Sequence, residues 1–259
     1  MAPFHTNYAR SDGLRVAYSD VGSGPPIIFL HGIGATRDVW DPQLRSLCAR
    51  FRCIAVEFRG YGESDAALAR DASRAAYARD AFAAMTAAKV EAAHICGLSL
   101  GGIIALECYR TEPRRVRSLA LADTFAYHPR GVELLGERLK GLVDVELRRI
   151  GRRQTNVIER LRRQLRAASL TTYLASVREA WTADYRNMLP SVRVPALVMV
   201  GEHDRAVAPL RFSRELADGL PDCRGLIVIP DADHESNADN PAMFNEALAR
   251  FVDEVVRGA

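Results

Sequence analysis

The stretch Ala92-Ala93-His94-Ile95-Cys96-Gly97-Leu98-Ser99-Leu100-Gly101-Gly102-Ile103-Ile104-Ala105-Leu106 decides how this chain folds. Its first five residues form an apolar run that reads as a strand. IIALECYR beyond it carries a helical pattern. Only GLSLGG joins the two, so the chain turns from strand to helix within a few residues. The residue at the apex, Ser99, must then take strained backbone angles, and bulky neighbours two positions away would collide. Gly97 and Gly101 remove that collision. The turn also lifts the Ser99 hydroxyl above a helix N-terminus, where the peptide dipoles favour developing negative charge. An incidental serine in a glycine-rich turn is the alternative, and the strand-turn-helix context argues against it.

Similar apolar runs recur on both sides: 26–30 (PIIFL), 53–56 (CIAV), 119–122 (LALA), 196–200 (ALVMV) and 226–229 (LIVI). Continuous apolar character marks strands whose two faces are both covered. Helical patterns near 74–88, 100–112, 209–220 and 241–256 separate them, and this alternation predicts an α/β fold with a doubly wound, mostly parallel sheet. Residues 14–21 read as an antiparallel strand before the first central one. Gly22, Gly24 and Pro25-Pro26 punctuate a hairpin between them. Residues 129–187 hold helical patterns and no strand-like run, so they read as a helical cap inserted into a core of 1–128 and 188–259. That block carries 13 basic and 7 acidic residues, a net of +6, against 22 basic and 25 acidic elsewhere. Arg148, Arg149, Arg152, Arg153, Arg160, Arg162, Arg163 and Arg166 supply most of the excess. A solvated helix face is one reading; a lid that selects an acidic substrate is the other.

At 259 residues and 48% hydrophobic, the chain is long enough for one large core. A formal charge of +3, with both signs interspersed, argues against a nucleic-acid partner. Five cysteines without a C-x-x-C pair fit small core residues of a reducing compartment. The opening MAPFHTNYARSDG has no apolar stretch of signal-peptide length, and no later segment is suited to span a membrane. A cytoplasmic monomer or homodimer acting on a small molecule is therefore expected.

A serine nucleophile needs a base, and the base needs an acid to fix its tautomer. Of six histidines, His234 follows the last apolar run and precedes the final helix, on the strand-end side where this architecture gathers catalytic groups. His5, His31, His94, His128 and His203 lie at less suitable places. Asp204, in VMVGEHDRAVAP, completes the order Ser…Asp…His, and Asp123 at the end of RSLALAD is its rival. The oxyanion of an acyl-transfer intermediate needs preorganised donors. Leu100 N–H, just after the nucleophile, is one, and Ile33 N–H in His31-Gly32-Ile33-Gly34 is the other. Trp40 reads either as pocket wall or as core, and Arg59 as the partner of a nearby carboxylate. No His/Cys/Asp cluster has metal-ligand spacing and no phosphate loop is present, so neither metal nor cofactor is expected.

Five blocks in order, HGIGATRDVWDPQL, EFRGYGESD, HICGLSLGG, VPALVMVGEHDRAVAP and DADHESNADNPAMFNEAL, resemble the α/β-hydrolase superfamily from about residue 14 to the end. GLSLGG, W-D-P-Q and H-x-S-N…P-x-x-F-N are most similar to 3-oxoadipate enol-lactonase and its relatives. Glu57 stands where those proteins commonly have Asp, and Tyr61 where they commonly have His. The resemblance implies an α/β-hydrolase fold and cofactor-free hydrolysis of a small lactone or ester. It leaves open a cofactor-free oxygenase or perhydrolase, a C–C bond hydrolase and a binding module on the same scaffold. A serine at the elbow disfavours dehalogenases and epoxide hydrolases.

Overall fold

A computed structural model describes residues 4–128, 167–205 and 207–258. Eight strands form one sheet in the order β1-β2-β4-β3-β5-β6-β7-β8. These are β1 (Asn7–Ser11), β2 (Leu14–Val21), β3 (Pro26–Leu30), β4 (Arg52–Val56), β5 (Ala93–Leu98), β6 (Val116–Ala122), β7 (Ala196–Gly201) and β8 (Cys223–Ile229). All pairs from β4 to β8 are parallel, whereas β1–β2 and β2–β4 are antiparallel.

The expected hairpin at Gly22–Pro26 is not formed, because β2 pairs with β4 and not with β3. The tight hairpin lies one strand earlier. Asp12 and Gly13 both have positive φ, 51° and 84°, the twist that joins two antiparallel strands through two residues. Strand β1 was not among the expected runs, since it is short and polar on one side.

Alternate residues of each central strand face opposite layers. Ile28, Leu30, Ile54, Val56, Ile95 and Leu121 pack with α2 (Arg74–Ala87), α3 (Leu100–Thr111) and α5 (Leu210–Gly219). Ile27, Phe29, Cys53, Cys96, Leu197 and Met199 face α1 (Asp41–Leu47) and α7 (Pro241–Arg257). Between α3 and α5 in the chain lies α4 (Leu170–Trp181); a short α6 (Ser236–Asp239) precedes α7. Trp40 is fully buried against Phe29 and Phe244, so it belongs to the core. Among the described residues no helix is long and apolar enough to cross a membrane.

Residues 129–166 of the predicted insertion, with its arginine cluster, lie outside the described residues. Its end is fixed to the core: Gly62 N–H donates to Ala167 O at 2.7 Å, and Tyr185 OH donates to Glu107 at 2.7 Å. Tyr61 OH donates to Ser176 of α4 at 2.8 Å, so this tyrosine reaches a helix within the expected insertion.

His94 opens β5 at the far end of the sheet, 2% exposed and 2.8 Å from Ser118 Oγ. Burial, with the nearby Arg117 charge, pushes its imidazole from 6.5 down to about 4. The unfolded chain therefore takes this proton at higher pH than the fold does. The stability is complete above pH 6.5 and is lost as pH falls toward 4, at about 1.4 kcal/mol per pH unit. Compared with His94→Gln, which cancels every other group, the wild type should lose about 2 kcal/mol more between pH 6.5 and about 5. Urea unfolding at the two pH values reads the difference. Parallel losses in both proteins would refute it.

Candidate active site

Ser99 sits between β5 and α3 with φ 55° and ψ −117°, a left-handed backbone that few non-glycine residues accept. The surrounding glycines are required sterically. A Cβ on Gly97 would lie 2.2 Å from Gly101 O, one on Gly101 2.0 Å from Leu30 O, and one on Gly102 2.5 Å from Thr124 Cγ2. Two bonds hold the elbow itself: Ser99 N–H donates to Ala122 O at 2.9 Å, and Thr124 Oγ1 donates to Ser99 O at 2.7 Å.

The loop after β8 brings His234 to Ser99, with Nε2 2.9 Å from Ser99 Oγ. Its Nδ1 lies 2.6 Å from Asp204 Oδ2. A carboxylate only accepts, so Nδ1 carries the proton and the Nε2 lone pair faces the serine. Asp204 is 3% exposed. Burial opposes its ionisation, but the His234 charge and hydrogen bond, with the N–H groups of Ala208 and Val207, hold it below the usual carboxylate range. The structure thus brings Ser99, His234 and Asp204 into one hydrogen-bonded line.

The loop at residues 31–34 backs onto the serine: a Cβ on Gly32 would lie 3.3 Å from Ser99 Cβ. Among the described residues, the N–H groups of Ile33 and Leu100 donate to no backbone carbonyl. The fully buried His31 fixes the loop. Its Nδ1–H donates to Gly32 O at 2.8 Å while Nε2 accepts Phe58 N–H at 3.2 Å. That arrangement requires the neutral imidazole, and burial pushes His31 down to about 4.

Asp123, the alternative acid, does not take the His234 Nδ1 position. It is fully buried with φ 48°, and its carboxylate accepts from Gly201 N–H at 2.7 Å, Ser236 N–H at 3.2 Å and Ser236 Oγ at 2.5 Å. Of the remaining histidines, His128 makes edge-to-face contacts with Trp181, Phe125 and Phe212, while His203 lies beside Glu202.

Sequence reading missed a buried amide cluster. Gln43 Nε2 donates to Asn237 O and Asn245 Oδ1, both at 2.9 Å, and Asn237 Nδ2 donates to Val39 O at 2.9 Å. These are the Gln of W-D-P-Q and the two Asn of H-x-S-N…P-x-x-F-N. Uncharged polar residues flanked by core aromatics were the available signal. The cluster ties the segment after the 31–34 loop to the segment after His234.

Arg59 pairs with the buried Asp80 at 2.6 Å and with Asp12 at 2.9 Å, as expected of a loop anchor. The less common Glu57 reaches Arg37 at 2.7 Å and accepts Glu63 N–H at 2.7 Å. Gly62, φ 47°, admits no side chain there, since a Cβ would lie 2.3 Å from Glu57 Oε1. Among the described residues one group, Glu202, His203 and Asp231, offers three metal-ligand atoms within 4.8 Å of one another. These come from separate loops, which sequence spacing does not reveal, and exposed carboxylates of this kind are common without an ion.

A base within reach of a serine and an acid behind the base, with the Gly32 backbone against the serine, make an arrangement suited to acyl transfer. The model of the alpha/beta hydrolase family matches residues 27–247. RutD of Azorhizobium caulinodans, whose name makes it a candidate carbamate hydrolase, is 31% identical, over 96% of this chain and 98% of its own. 3-Oxoadipate enol-lactonase 1 of Acinetobacter baylyi is 25% identical over 93% and 94%. Among solved structures, the enol-lactonase of Burkholderia xenovorans LB400 superimposes with a TM-score of 0.79 at 26% identity, covering 95% of this chain and 100% of its own.

Proposed function

Because the chain belongs to the alpha/beta hydrolase family, close to its enol-lactonase-like members, we propose that it opens a small lactone or carboxylic ester through an acyl-serine intermediate. Ser99 is the nucleophile, His234 the base and Asp204 the acid in this reading. What supports it most is the unbroken line Ser99 Oγ–His234 Nε2, 2.9 Å, and His234 Nδ1–Asp204 Oδ2, 2.6 Å.

The steps follow from that line. His234 Nε2 takes the Ser99 proton as Oγ attacks the substrate carbonyl, and Asp204 stabilises the imidazolium so formed. Leu100 and Ile33 N–H groups hold the oxyanion, each worth about 3 kcal/mol of barrier. The intermediate collapses, the C–O bond breaks, and His234 returns its proton to the leaving oxygen. Water, deprotonated by His234, then attacks the acyl carbon; the acyl–Oγ bond breaks, His234 returns the proton to Ser99 Oγ, and the acid product leaves. No step calls on a metal or cofactor.

The test is one substrate panel on one preparation: an enol-lactone, saturated lactones, short p-nitrophenyl esters and a simple carbamate. Oxygen uptake and peracid formation from acetate and peroxide are recorded alongside. Lactone or ester turnover, unchanged by a chelator and without oxygen uptake, is expected, together with fluorophosphonate labelling confined to Ser99. Oxygen consumption as the main activity would replace this reading with an oxidoreductase. Turnover of the carbamate alone would change the substrate class.

A further inference from the structure

Asp123 directly follows β6 at the head of the sheet, between the loops that carry Asp204 and His234. Its Oδ1 accepts the N–H of Gly201, the last residue of β7 and three before Asp204. Its Oδ2 accepts both the N–H and the hydroxyl of Ser236, two residues past His234. One carboxylate, fully buried, thus joins the strand end that delivers the acid to the segment that delivers the base. Three donors converge on it, and a buried carboxylate needs such donors to exist there at all. An asparagine would satisfy Gly201 with its oxygen but turn its own N–H groups toward two donors of Ser236. The place is built for an acid. Its left-handed backbone, φ 48°, is an added cost that the surrounding structure sustains.

We propose that Asp123 is a positioning residue for His234: it locks the acid-bearing and base-bearing loops together, and its negative charge, added to that of Asp204, favours the imidazolium formed when His234 takes the Ser99 proton. This inference rests on the hydrolase reading of the site. Three titratable groups face Asp123: Cys96 of β5, Asp204 after β7 and His234 after β8. Burial, followed by Asp204, raises the Asp123 carboxyl, while a charged His234 and the Ser236 and Gly201 donors pull it back toward ionisation, so it is charged when His234 is. The Cys96 thiol is pushed up by burial and stays neutral. Each ionisation of Asp123 and His234 therefore promotes the other, and the two titrate as a pair.

The experiment follows the His234 imidazole by NMR in histidine-labelled protein, its signal identified by its loss in His234→Gln. The pH profile of kcat/KM on a p-nitrophenyl ester is measured in parallel. Asp123→Asn removes one negative charge, so the His234 pKa should fall by about half a unit or more. The acid limb of kcat/KM should move to lower pH by the same amount, while plateau kcat falls about tenfold and KM changes less than about twofold. Ser236→Ala keeps the carboxylate but makes it easier to protonate, and should shift both readouts the same way by less. It also carries the test should Asp123→Asn not fold. Lower thermal stability with the His234 titration and acid limb unmoved would reduce Asp123 to a packing residue and overturn the proposal. The NMR titration needs no turnover. A wild type that hydrolyses nothing defeats the hydrolase reading, whereas an unshifted His234 in the variants defeats this one.

Discussion

Replacing Ser99 with alanine is expected to lower kcat on the best lactone or ester about a millionfold. The substitution removes only Oγ, which hydrogen-bonds with His234 Nε2 at 2.9 Å. Both residues carry a Cβ, so the strain at φ 55° is unchanged. The bonds that hold the elbow, from Ser99 N–H and to Ser99 O, run through the backbone and survive. The variant should therefore unfold within about 2 °C of wild type, a surface-like effect. The donors at Ile33 and Leu100 remain in place, so a rate about a thousandfold above water is expected to persist. Single-turnover kinetics, together with mass spectrometry of the fluorophosphonate adduct, measure both quantities. Activity within tenfold of wild type, or an adduct on another residue, would remove Ser99 from the reaction.

The elbow was legible in the sequence because its constraint is local. Gly97, Ser99 and Gly101 lie within five residues, and collisions of 2.2 and 2.0 Å with backbone oxygens leave no other residue type possible at the glycines. The central strands were legible for a similar reason, since Ile27 to Leu30 must satisfy both layers at once. The hairpin was misread because Gly22, Gly24 and two prolines outweighed Asp12-Gly13, although Asp-Gly is the stronger two-residue signal. Glycines 22 and 24 serve close approach instead, each with backbone of the Cys48–Phe51 turn less than 3 Å from where a Cβ would be. The amide cluster was out of reach for a different reason. Gln43 and Asn245 are 202 residues apart, and nothing local to either predicts the other. The motif that carried the family resemblance contained all three amides, but a motif states association and not contact.

Substituting Asp204 with asparagine is the sharper test, because sequence offered two acids at the ends of two neighbouring strands. The Asp204 carboxylate accepts from His234 Nδ1–H at 2.6 Å and from the N–H groups of Val207 and Ala208, each at 3.2 Å. An asparagine keeps its oxygen on the two backbone donors, which leaves its NH2 group facing His234 Nδ1. Two donors cannot face each other, so the imidazole moves its proton to Nε2. That proton points at Ser99 Oγ, and the ring loses the lone pair needed to act as a base. The acylation rate should fall about ten-thousandfold with the fold intact. Asp123→Asn leaves the Asp204–His234 bond in place and should cost only about tenfold in kcat. The proteins are compared by burst kinetics on one p-nitrophenyl ester, with circular dichroism to confirm folding. The reverse ranking would move the acid to Asp123 and make Asp204 the residue that merely braces the loop. The geometry argues against that outcome, since both oxygens of Asp123 are already committed to Gly201 and Ser236, whereas Asp204 Oδ2 points at the base.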